Sequence, residues 1–265
     1  MKKNPAIFDL ISLKGKTALI TGASAGIGRA IAIRLAEAGA NIELVSKNIN
    51  RLRPVKTELI KYKIKVDIHR ADLSSKNDIE SLWQILDKNV PDILVNNAGI
   101  YPFENFLNVD DIKLRKIMDT NLTSVFWMCQ KMIKRRGKRG GVIINIGSIE
   151  ALLPFKEDLV PYTMSKAGVL ALTRALAKEY GKKGFRINAI LPGGIITPGT
   201  KSAAKEINEF KLGLIKTGIQ FKERLPAGRL GQPDEVARVA LFLASDLSSY
   251  MHGSLIPVDG GFLSA

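Results

Sequence analysis

The sequence has few side chains that bind transition metals: one cysteine, Cys129, and two histidines, His69 and His252. A single cysteine cannot form a disulfide within the chain, as expected of a protein in a reducing cytoplasm. A zinc site of the alcohol dehydrogenase type needs several cysteine and histidine ligands, so we predict no catalytic metal. Cys129 lies in an apolar helical pattern, and neither histidine has a carboxylate at an informative spacing. We therefore expect all three residues to be structural.

Long hydrophobic runs are also missing from the sequence. No apolar run approaches the roughly 18–20 residues of a membrane-spanning helix, so we predict no membrane partner. Near the N-terminus, Asp9 interrupts the apolar stretch and no small-residue cleavage site follows, which argues against a signal peptide. The 265 residues suit a single domain over the whole chain, 1–265, and we expect it to be cytoplasmic.

Acidic residues are few relative to basic ones, and the formal net charge is +15. The basic residues are spread along the chain, and their densest cluster, residues 131–139, contains no interleaved aromatic residues. A single-strand nucleic-acid surface would need such aromatics, so we predict no nucleic-acid partner. A positive field attracts anionic small molecules, and we expect a small-molecule substrate together with an anionic cofactor.

Short β-rich runs alternate with longer helical patterns throughout the chain. Strands are predicted at residues 17–20, 42–45, 65–70, 93–95, 142–146, 186–190 and 255–258. Helices are predicted at residues 27–38, 78–88, 112–135, 162–180 and 235–244. Several strands are continuously apolar, which is typical of parallel sheets covered on both faces. The sequence therefore predicts a doubly wound, mostly parallel, seven-stranded α/β sheet with helices on both faces.

Residues 198–225 do not follow this alternation. The segment is helical and polar, and it is longer than a plain crossover connection requires. We interpret it as a substrate lid, with a surface excursion as the alternative.

A glycine-rich turn follows the first predicted strand and opens the first long helix. Glycine allows a sharp turn and a close approach to a pyrophosphate, whose charge then lies against the amides of the helix. The turn has the spacing G-x-x-x-G-x-G, and tight packing alone is the alternative explanation. The predicted cofactor-binding residues of this turn are Gly22, Ser24, Ala25, Gly26, Ile27 and Gly28.

The end of the second predicted strand bears on the choice of cofactor. An acidic residue there would bind the 2′-hydroxyl of NAD, whereas a basic residue would accept a 2′-phosphate. The chain has Ser46, Lys47 and Asn48, so NADP(H) is favoured and NAD(H) remains possible. Ala25 adds no second basic residue in the turn. Asp72, just past the third strand, is placed to accept a hydrogen bond from the adenine amino group.

Tyr162 and Lys166 are four residues apart in a predicted helix and therefore project from one face. A phenol of pKa near 10 is a poor base, but a nearby lysine and an oxidised nicotinamide both favour the phenolate. At about 4 Å and an effective dielectric constant near 20, the lysine could lower the pKa by at most about 3 units. A tyrosine–lysine pair on a helix is also commonly just solvated, so neighbouring residues must support a catalytic role.

Polar residues elsewhere provide that support. Ser148 follows the fifth predicted strand, and the Asn96-Asn97-Ala98-Gly99 run ends the fourth. Ligands bind outside the carboxyl ends of the strands in a doubly wound sheet, so Ser148 could hydrogen-bond the reacting oxygen. Asn121 lies inside a predicted helix, where asparagine is locally unfavourable. Its presence there indicates that the side chain makes buried polar interactions.

With these motifs in place, the chain resembles the classical short-chain dehydrogenases/reductases over nearly its whole length. The matching motifs are TGASAGIG at 21–28, Asp72-Leu73, NNAG at 96–99, Asn121, Ser148, YTMSK at 162–166 and Pro192-Gly193 with Thr197. The resemblance implies that Tyr162 donates or accepts the proton and that Ser148 orients the substrate. It also implies that Lys166 lowers the tyrosine pKa and binds the nicotinamide ribose, while Asn121 holds a water that links Lys166 to solvent. The cofactor contacts that it implies are Asn97, Ala98, Gly99, Tyr162, Lys166, Pro192, Gly193, Ile195 and Thr197, besides Leu73.

The substrate is the least determined part of the prediction. Substrate contacts are expected from Ser148, Glu150, Tyr162 and Gly194. Residues 149–158, between Ser148 and Tyr162, are predicted to form part of the pocket wall, and Tyr101 and Phe103 could form another wall. Glu150 could accept hydroxyl hydrogens from a polyol, although a solvated loop acid fits the sequence equally well. C-terminal segments are similar to family members acting on sugars, sugar acids and polyols. They also occur in 3-oxoacyl-carrier-protein reductases.

We therefore predict an NAD(P)-dependent oxidoreductase acting on a secondary alcohol or ketone of a sugar, sugar acid or polyol. A 3-oxoacyl-carrier-protein reductase is the alternative. A non-catalytic dinucleotide sensor is a remote third reading, because the Asn–Ser–Tyr–Lys set is intact. Family members are commonly tetramers, so a homotetramer is expected.

Overall fold

The computed structural model describes residues 5–199 and 223–265. Most of the predicted lid therefore lies outside the described residues. Seven strands form one sheet: β1 Thr17–Thr21, β2 Asn41–Ser46, β3 Val66–Arg70, β4 Ile93–Asn96, β5 Gly141–Ile146, β6 Phe185–Pro192 and β7 Leu255–Val258. Their order is β3-β2-β1-β4-β5-β6-β7, and every neighbouring pair is parallel. The predicted doubly wound sheet is confirmed, and its described strands are parallel throughout.

The helices described are α1 Ile7–Ile11, α2 Gly26–Glu37, α3 Arg53–Leu59, α4 Lys76–Leu86, α5 Asp111–Met118, α6 Ser124–Arg136, α7 Val160–Tyr180 and α8 Pro233–Ala244. They cover both faces of the sheet. Ala18 and Ile20 of β1 pack with one core, which contains the buried faces of α2 and α8. Leu19 points to the opposite core, built with α4, α6 and α7. Both faces are buried, which explains the continuously apolar strands. None of the described helices is long and apolar enough to cross a membrane.

The predicted helix at 112–135 is helical throughout, but it is not purely α-helical. A π-helical segment, Asp119–Thr123, separates α5 from α6 and contains the buried Asn121. π-Helical turns inside α-helices are rare and are frequently found at functional sites. The other predicted helices agree with the structure to within a few residues at their ends, whereas α1 and α3 were not predicted.

His69 has a carboxylate partner that the sequence spacing does not reveal. Its Nε2 lies 2.6 Å from Oε2 of Glu43, and both side chains are largely buried. The register of β2 and β3 pairs Val45 with His69, so Glu43 lies two residues along β2 and on the same face. The pair links two strands of the sheet, and a structural role remains our prediction.

The strand order places a crevice next to β1. The chain proceeds from β1 to β2 and β3 on one side, and then returns to β4 on the other side. This reversal is the topological switch point, where ligands of doubly wound sheets bind outside the carboxyl ends of the strands. The loops after β1, β4, β5 and β6 all meet at this edge.

Candidate active site

The turn between β1 and α2 has a backbone that demands glycine. Gly22 and Gly26 have φ values of +63° and +56°, in the left-handed region that side chains disfavour. A Cβ on Gly28 would lie 2.4 Å from the carbonyl oxygen of Gly22. Nδ2 of Asn97 donates to the carbonyl oxygens of Thr21 and Gly22, which ties the turn to the end of β4. The turn is thus held in one tight conformation.

This turn fits the pyrophosphate of a dinucleotide. Ala25 is the N-cap of α2 and has no side chain that can cap the first amides of the helix. Those amides and the positive end of the helix dipole favour an anion at this position. Ile27, Asn97 and Gly99 connect the turn to the adjoining cleft, because all three line it.

Lys47 and Asp72 lie together at the ends of β2 and β3. Nζ of Lys47 is 2.5 Å from Oδ2 of Asp72, and this ion pair lowers the pKa of the carboxyl group. Oδ1 of Asp72 accepts hydrogen bonds from the backbone and the hydroxyl of Ser74. Ser46 accepts from the backbone of Asn48. The Lys47 side chain is 73% exposed, so the ammonium group can reach a ligand at this rim of the sheet.

Tyr162 and Lys166 lie in the first two turns of α7, beside Ser148 at the end of β5. Nζ of Lys166 lies 5.9 Å from the centre of the Tyr162 ring and donates to the carbonyl oxygen of Ile146 at 2.7 Å. Lys166 is only 5% exposed, and burial lowers its pKa to about 8. Three of the four predicted catalytic residues, Ser148, Tyr162 and Lys166, therefore converge at the carboxyl edge of the sheet.

The pKa of Tyr162 is shifted in the direction opposite to that predicted for the pair alone. The pKa is raised to about 12: burial has the largest effect and raises it, hydrogen bonding to Ser148 lowers it, and the charge of Glu150 raises it. Removing a phenol from water disfavours its charged form, and this effect is the largest at Tyr162. The lowering predicted for the tyrosine–lysine pair is therefore not found in the fold, and the positive charge of an oxidised nicotinamide would favour the phenolate.

Asn121 is fully buried and connects three parts of the site. Its Oδ1 accepts from the backbone of Ile100 at 2.8 Å, and its Nδ2 donates to Ile100 and to Oγ of Ser165. A Cβ on Gly99 would lie 3.3 Å from Oδ1 of Asn121 and 3.6 Å from Nζ of Lys166. Asn121 thus holds the loop after β4 against α7, close to the lysine. The water-binding role implied by the resemblance remains a prediction.

A cleft of about 640 Å³ opens at this edge of the sheet. Its volume is within the range of small-molecule sites. The predicted site residues that line it are Ile27, Asn97, Gly99, Ser148, Glu150, Tyr162, Lys166, Pro192, Gly193, Gly194, Ile195 and Thr197. The other predicted cofactor residues lie in the turn at 22–28, at the ends of β2 and β3, or beside Asn97. Asn121 is buried and is not among the residues that line the cleft.

Residues 22–263 match the family model described as enoyl-(acyl carrier protein) reductase. The chain belongs to the short-chain dehydrogenase/reductase family. It is 37% identical over 257 residues to 3-oxoacyl-[acyl-carrier-protein] reductase FabG of Aquifex aeolicus, covering 95% of this chain and 98% of that protein. It is 38% identical over 263 residues to 2-dehydro-3-deoxy-D-gluconate 5-dehydrogenase of Bacillus subtilis, covering 97% and 98%.

The fold of this short-chain dehydrogenase/reductase matches solved structures closely. A gluconate 5-dehydrogenase from Burkholderia cenocepacia in complex with NADP and tartrate superposes with a TM-score of 0.88. The two chains are 30% identical, and the match covers 98% of this chain and all of that one. The reaction class therefore follows from the family: oxidoreduction between an alcohol and a carbonyl group.

The wall of the dehydrogenase cleft contains an acid that is not solvated. Glu150 is only 2% exposed, and its Oε2 accepts from the backbone of Phe155 at 3.2 Å. Its Oε1 is buried without a hydrogen-bond partner among the residues that the structure describes. Burial raises the pKa of Glu150 to about 7. The alternative of a solvated loop acid is therefore wrong.

Phe155 and Lys156, in the connection between β5 and α7, also line the cleft, in agreement with the prediction that residues 149–158 form part of its wall. Ile100, Pro102 and Lys116 line it as well and were not predicted from the sequence. Tyr101, expected as a wall, does line the cleft, and its ring meets that of Tyr162 edge-on with 4.7 Å between centres. Phe103 packs against Tyr101 with 5.0 Å between ring centres.

Proposed function

We propose that this short-chain dehydrogenase/reductase transfers a hydride between NADP(H) and a secondary alcohol or ketone carbon of a sugar, sugar acid or polyol. The observation that carries this proposal is the convergence of Ser148, Tyr162 and Lys166 on one cleft, beside a glycine turn suited to a dinucleotide. An intact set of this kind argues against a sensor that only binds the cofactor.

The nicotinamide cofactor supplies or takes up the hydride when it is bound. In ketone reduction, the Tyr162 hydroxyl gives its proton to the oxygen that becomes the alcohol; in oxidation, the phenolate takes that proton back. Ser148 donates a hydrogen bond to the same oxygen and holds it near Tyr162. The Lys166 ammonium stabilises the phenolate electrostatically, and its hydrogen bond to Ile146 fixes its position.

The preference for NADP(H) rests on Lys47. Its ion pair with Asp72 joins a largely exposed side chain to a partly exposed one, and such pairs contribute only about 0–1 kcal/mol. Lys47 can therefore leave Asp72 and pair with the dianionic 2′-phosphate of NADP at little cost. The new pair is again a charge-assisted hydrogen bond, now to a group of higher charge. The NADP bound to the Burkholderia cenocepacia relative supports the same choice.

The substrate class is supported by the relatives that act on sugar acids and by the acidic wall of the cleft. The second candidate is reduction of a 3-oxoacyl carrier protein, which the relative from Aquifex aeolicus favours. An acyl chain would place alkyl groups against the unpartnered carboxyl oxygen of Glu150, which makes this candidate the weaker of the two.

Two measurements test the proposal. Thermal shifts with NADP⁺ and NAD⁺ should show stronger stabilisation by NADP⁺, and Lys47→Ala should remove that difference while Lys88→Ala, an exposed control, keeps it. Turnover of alditols, aldonates and a 3-ketoester is then followed at the absorbance of the reduced nicotinamide. Turnover of the ketoester alone would replace the proposed substrate class by the second candidate.

We also propose that the chain forms a homotetramer through apolar helix surfaces. Ile112 on α5 and Phe126 on α6 are 78% and 42% exposed, which supports burial against further copies. Light scattering coupled to size-exclusion chromatography should give the mass of four chains; a monomeric mass would overturn this assembly.

A further inference from the structure

The segment between β5 and α7 places two opposite charges, Glu150 and Lys156, on the wall of the cleft. Glu150 lies in a short 3₁₀ turn, Ile149–Ala151, which begins at Ser148. Oγ of Ser148 accepts from the backbone of Glu150 at 3.2 Å, so the acid has a fixed position relative to the proposed catalytic serine. The chain then folds back, and the backbone of Phe155 donates to Oε2 of Glu150.

The fold alone does not explain this carboxyl group. One oxygen is held by the backbone, but the other is buried without a partner among the described residues. Leaving a buried polar group without a hydrogen bond destabilises a fold. Glu150 also acts electrostatically on Tyr162 and Tyr101, and all three side chains line the cleft. A ligand hydroxyl that donates to Oε1 would satisfy the group.

Lys156 is held in the same wall by aromatic rings. Its ammonium nitrogen lies 5.5 Å from the ring centres of Tyr101 and Phe155 and 5.9 Å from that of Phe103. Aromatic faces attract a cation, and an ammonium group has three donors with which it can bind an anion. Lys156 and Glu150 also act on each other electrostatically. Lys156 lines the cleft, as does Glu150, so one ligand can contact both.

We propose that Glu150 and Lys156 form a recognition subsite for a hydroxylated carboxylate, in which Oε1 of Glu150 accepts a substrate hydroxyl and the Lys156 ammonium pairs with the substrate carboxylate. The subsite selects aldonate-like substrates over neutral polyols, which lack the anion, and over acyl chains, which lack both groups. It rests on the proposed function and narrows its substrate class to sugar acids.

Binding to the complex with NADPH tests the subsite without turnover, because an alcohol cannot be oxidised by the reduced cofactor. Calorimetry would compare D-gluconate with D-glucitol, and D-galactonate with galactitol, so that each pair differs in the carboxylate. The variants are Lys156→Met, Glu150→Leu and the milder Glu150→Gln. Glu157→Gln and Lys182→Met remove exposed charges and serve as controls. NADPH affinity, measured for each variant, reports whether the site is folded.

The wild-type complex should bind at least one aldonate roughly tenfold or more tightly than its alditol, as expected of a charge-assisted pair. Lys156→Met should abolish that difference and leave alditol binding unchanged. Glu150→Leu should weaken binding of the aldonate and of its alditol alike, because both carry hydroxyls, and Glu150→Gln should weaken it less. Both controls should resemble the wild type.

Equal affinity for both aldonates and their alditols in the wild type would overturn the subsite, as would a Lys156→Met variant that keeps the preference. If Glu150→Leu bound the aldonate and the alditol as tightly as the wild type does, Glu150 would not be part of the subsite. Failure of the proposed function looks different, because turnover would then be confined to the 3-ketoester whatever the binding data show. If an alditol is oxidised but no aldonate is bound preferentially, the subsite fails and the proposed function stands.

Discussion

Replacing Glu150 with glutamine should stabilise the folded protein, and the gain should depend on pH. The folded protein holds this carboxyl at a pKa of about 7, whereas the ordinary value is 4.5. Burial is the main cause, so the charged form is disfavoured in the fold. Glutamine keeps an acceptor for the backbone of Phe155 and carries no charge at any pH.

The direction of this pH dependence follows from how many protons the folded and unfolded states bind. Below pH 4.5 the carboxyl is protonated in both states and does not destabilise the fold through its charge. As the pH rises from 4.5 to 7, the unfolded chain releases its proton while the folded protein retains it, so stability falls. Above pH 7 the loss is complete. A shift from 4.5 to about 7 corresponds to about 3 kcal/mol.

Urea unfolding, followed by the fluorescence of Trp83 and Trp127, would measure the free energy of unfolding at pH 5 and pH 8. The advantage of Glu150→Gln over the wild type should grow by about 2–3 kcal/mol between these two pH values. Taking the difference between the variant and the wild type cancels the other titrating groups. Glu157→Gln, which removes an exposed acid, should show no such growth. An advantage of equal size at both pH values would refute the reasoning.

Three other substitutions or treatments test separate parts of the structure. Gly28→Ala should destabilise the protein by about 1–3 kcal/mol and weaken NADPH binding in a fluorescence titration, because its Cβ would lie 2.4 Å from the Gly22 carbonyl oxygen. NADPH affinity equal to that of the wild type would contradict the tight turn. Asn121→Ala removes hydrogen bonds to Ile100 and Ser165 and should cost about 2–4 kcal/mol in urea unfolding; a loss below about 0.5 kcal/mol would contradict this role. Cys129 is buried, and burial raises its thiol pKa to about 12, so a thiol reagent should react only after unfolding; rapid reaction with the native protein would contradict its burial.

The sheet and the glycine turn could be predicted from the sequence because both depend on local patterns. Each strand is a short apolar run, and residues such as Leu19 and Ile20 need only alternate between two buried faces. The turn is set by glycines whose spacing fits one backbone path. Tyr162 and Lys166 could be paired because a helix places residues four apart on one face.

Features that depend on burial or on distant contacts could not be predicted in this way. The rise in the Tyr162 pKa results from its removal from water, which no spacing reports. Glu150 is buried because the chain folds back at Phe155, and Lys156 joins it there. Lys47 could be identified as a basic residue at the end of β2, but its ion pair with Asp72 spans two strands.

The central claim is that the Tyr162 hydroxyl exchanges the proton that accompanies hydride transfer. A single-turnover measurement with Tyr162→Phe would use saturating NADPH and the ketone form of a substrate that the wild type turns over. The rate of hydride transfer should fall by at least about 100-fold, in line with the loss of a general acid, while NADPH binds as in the wild type. Hydride transfer at the wild-type rate in this variant, with the cofactor bound, would contradict the claim.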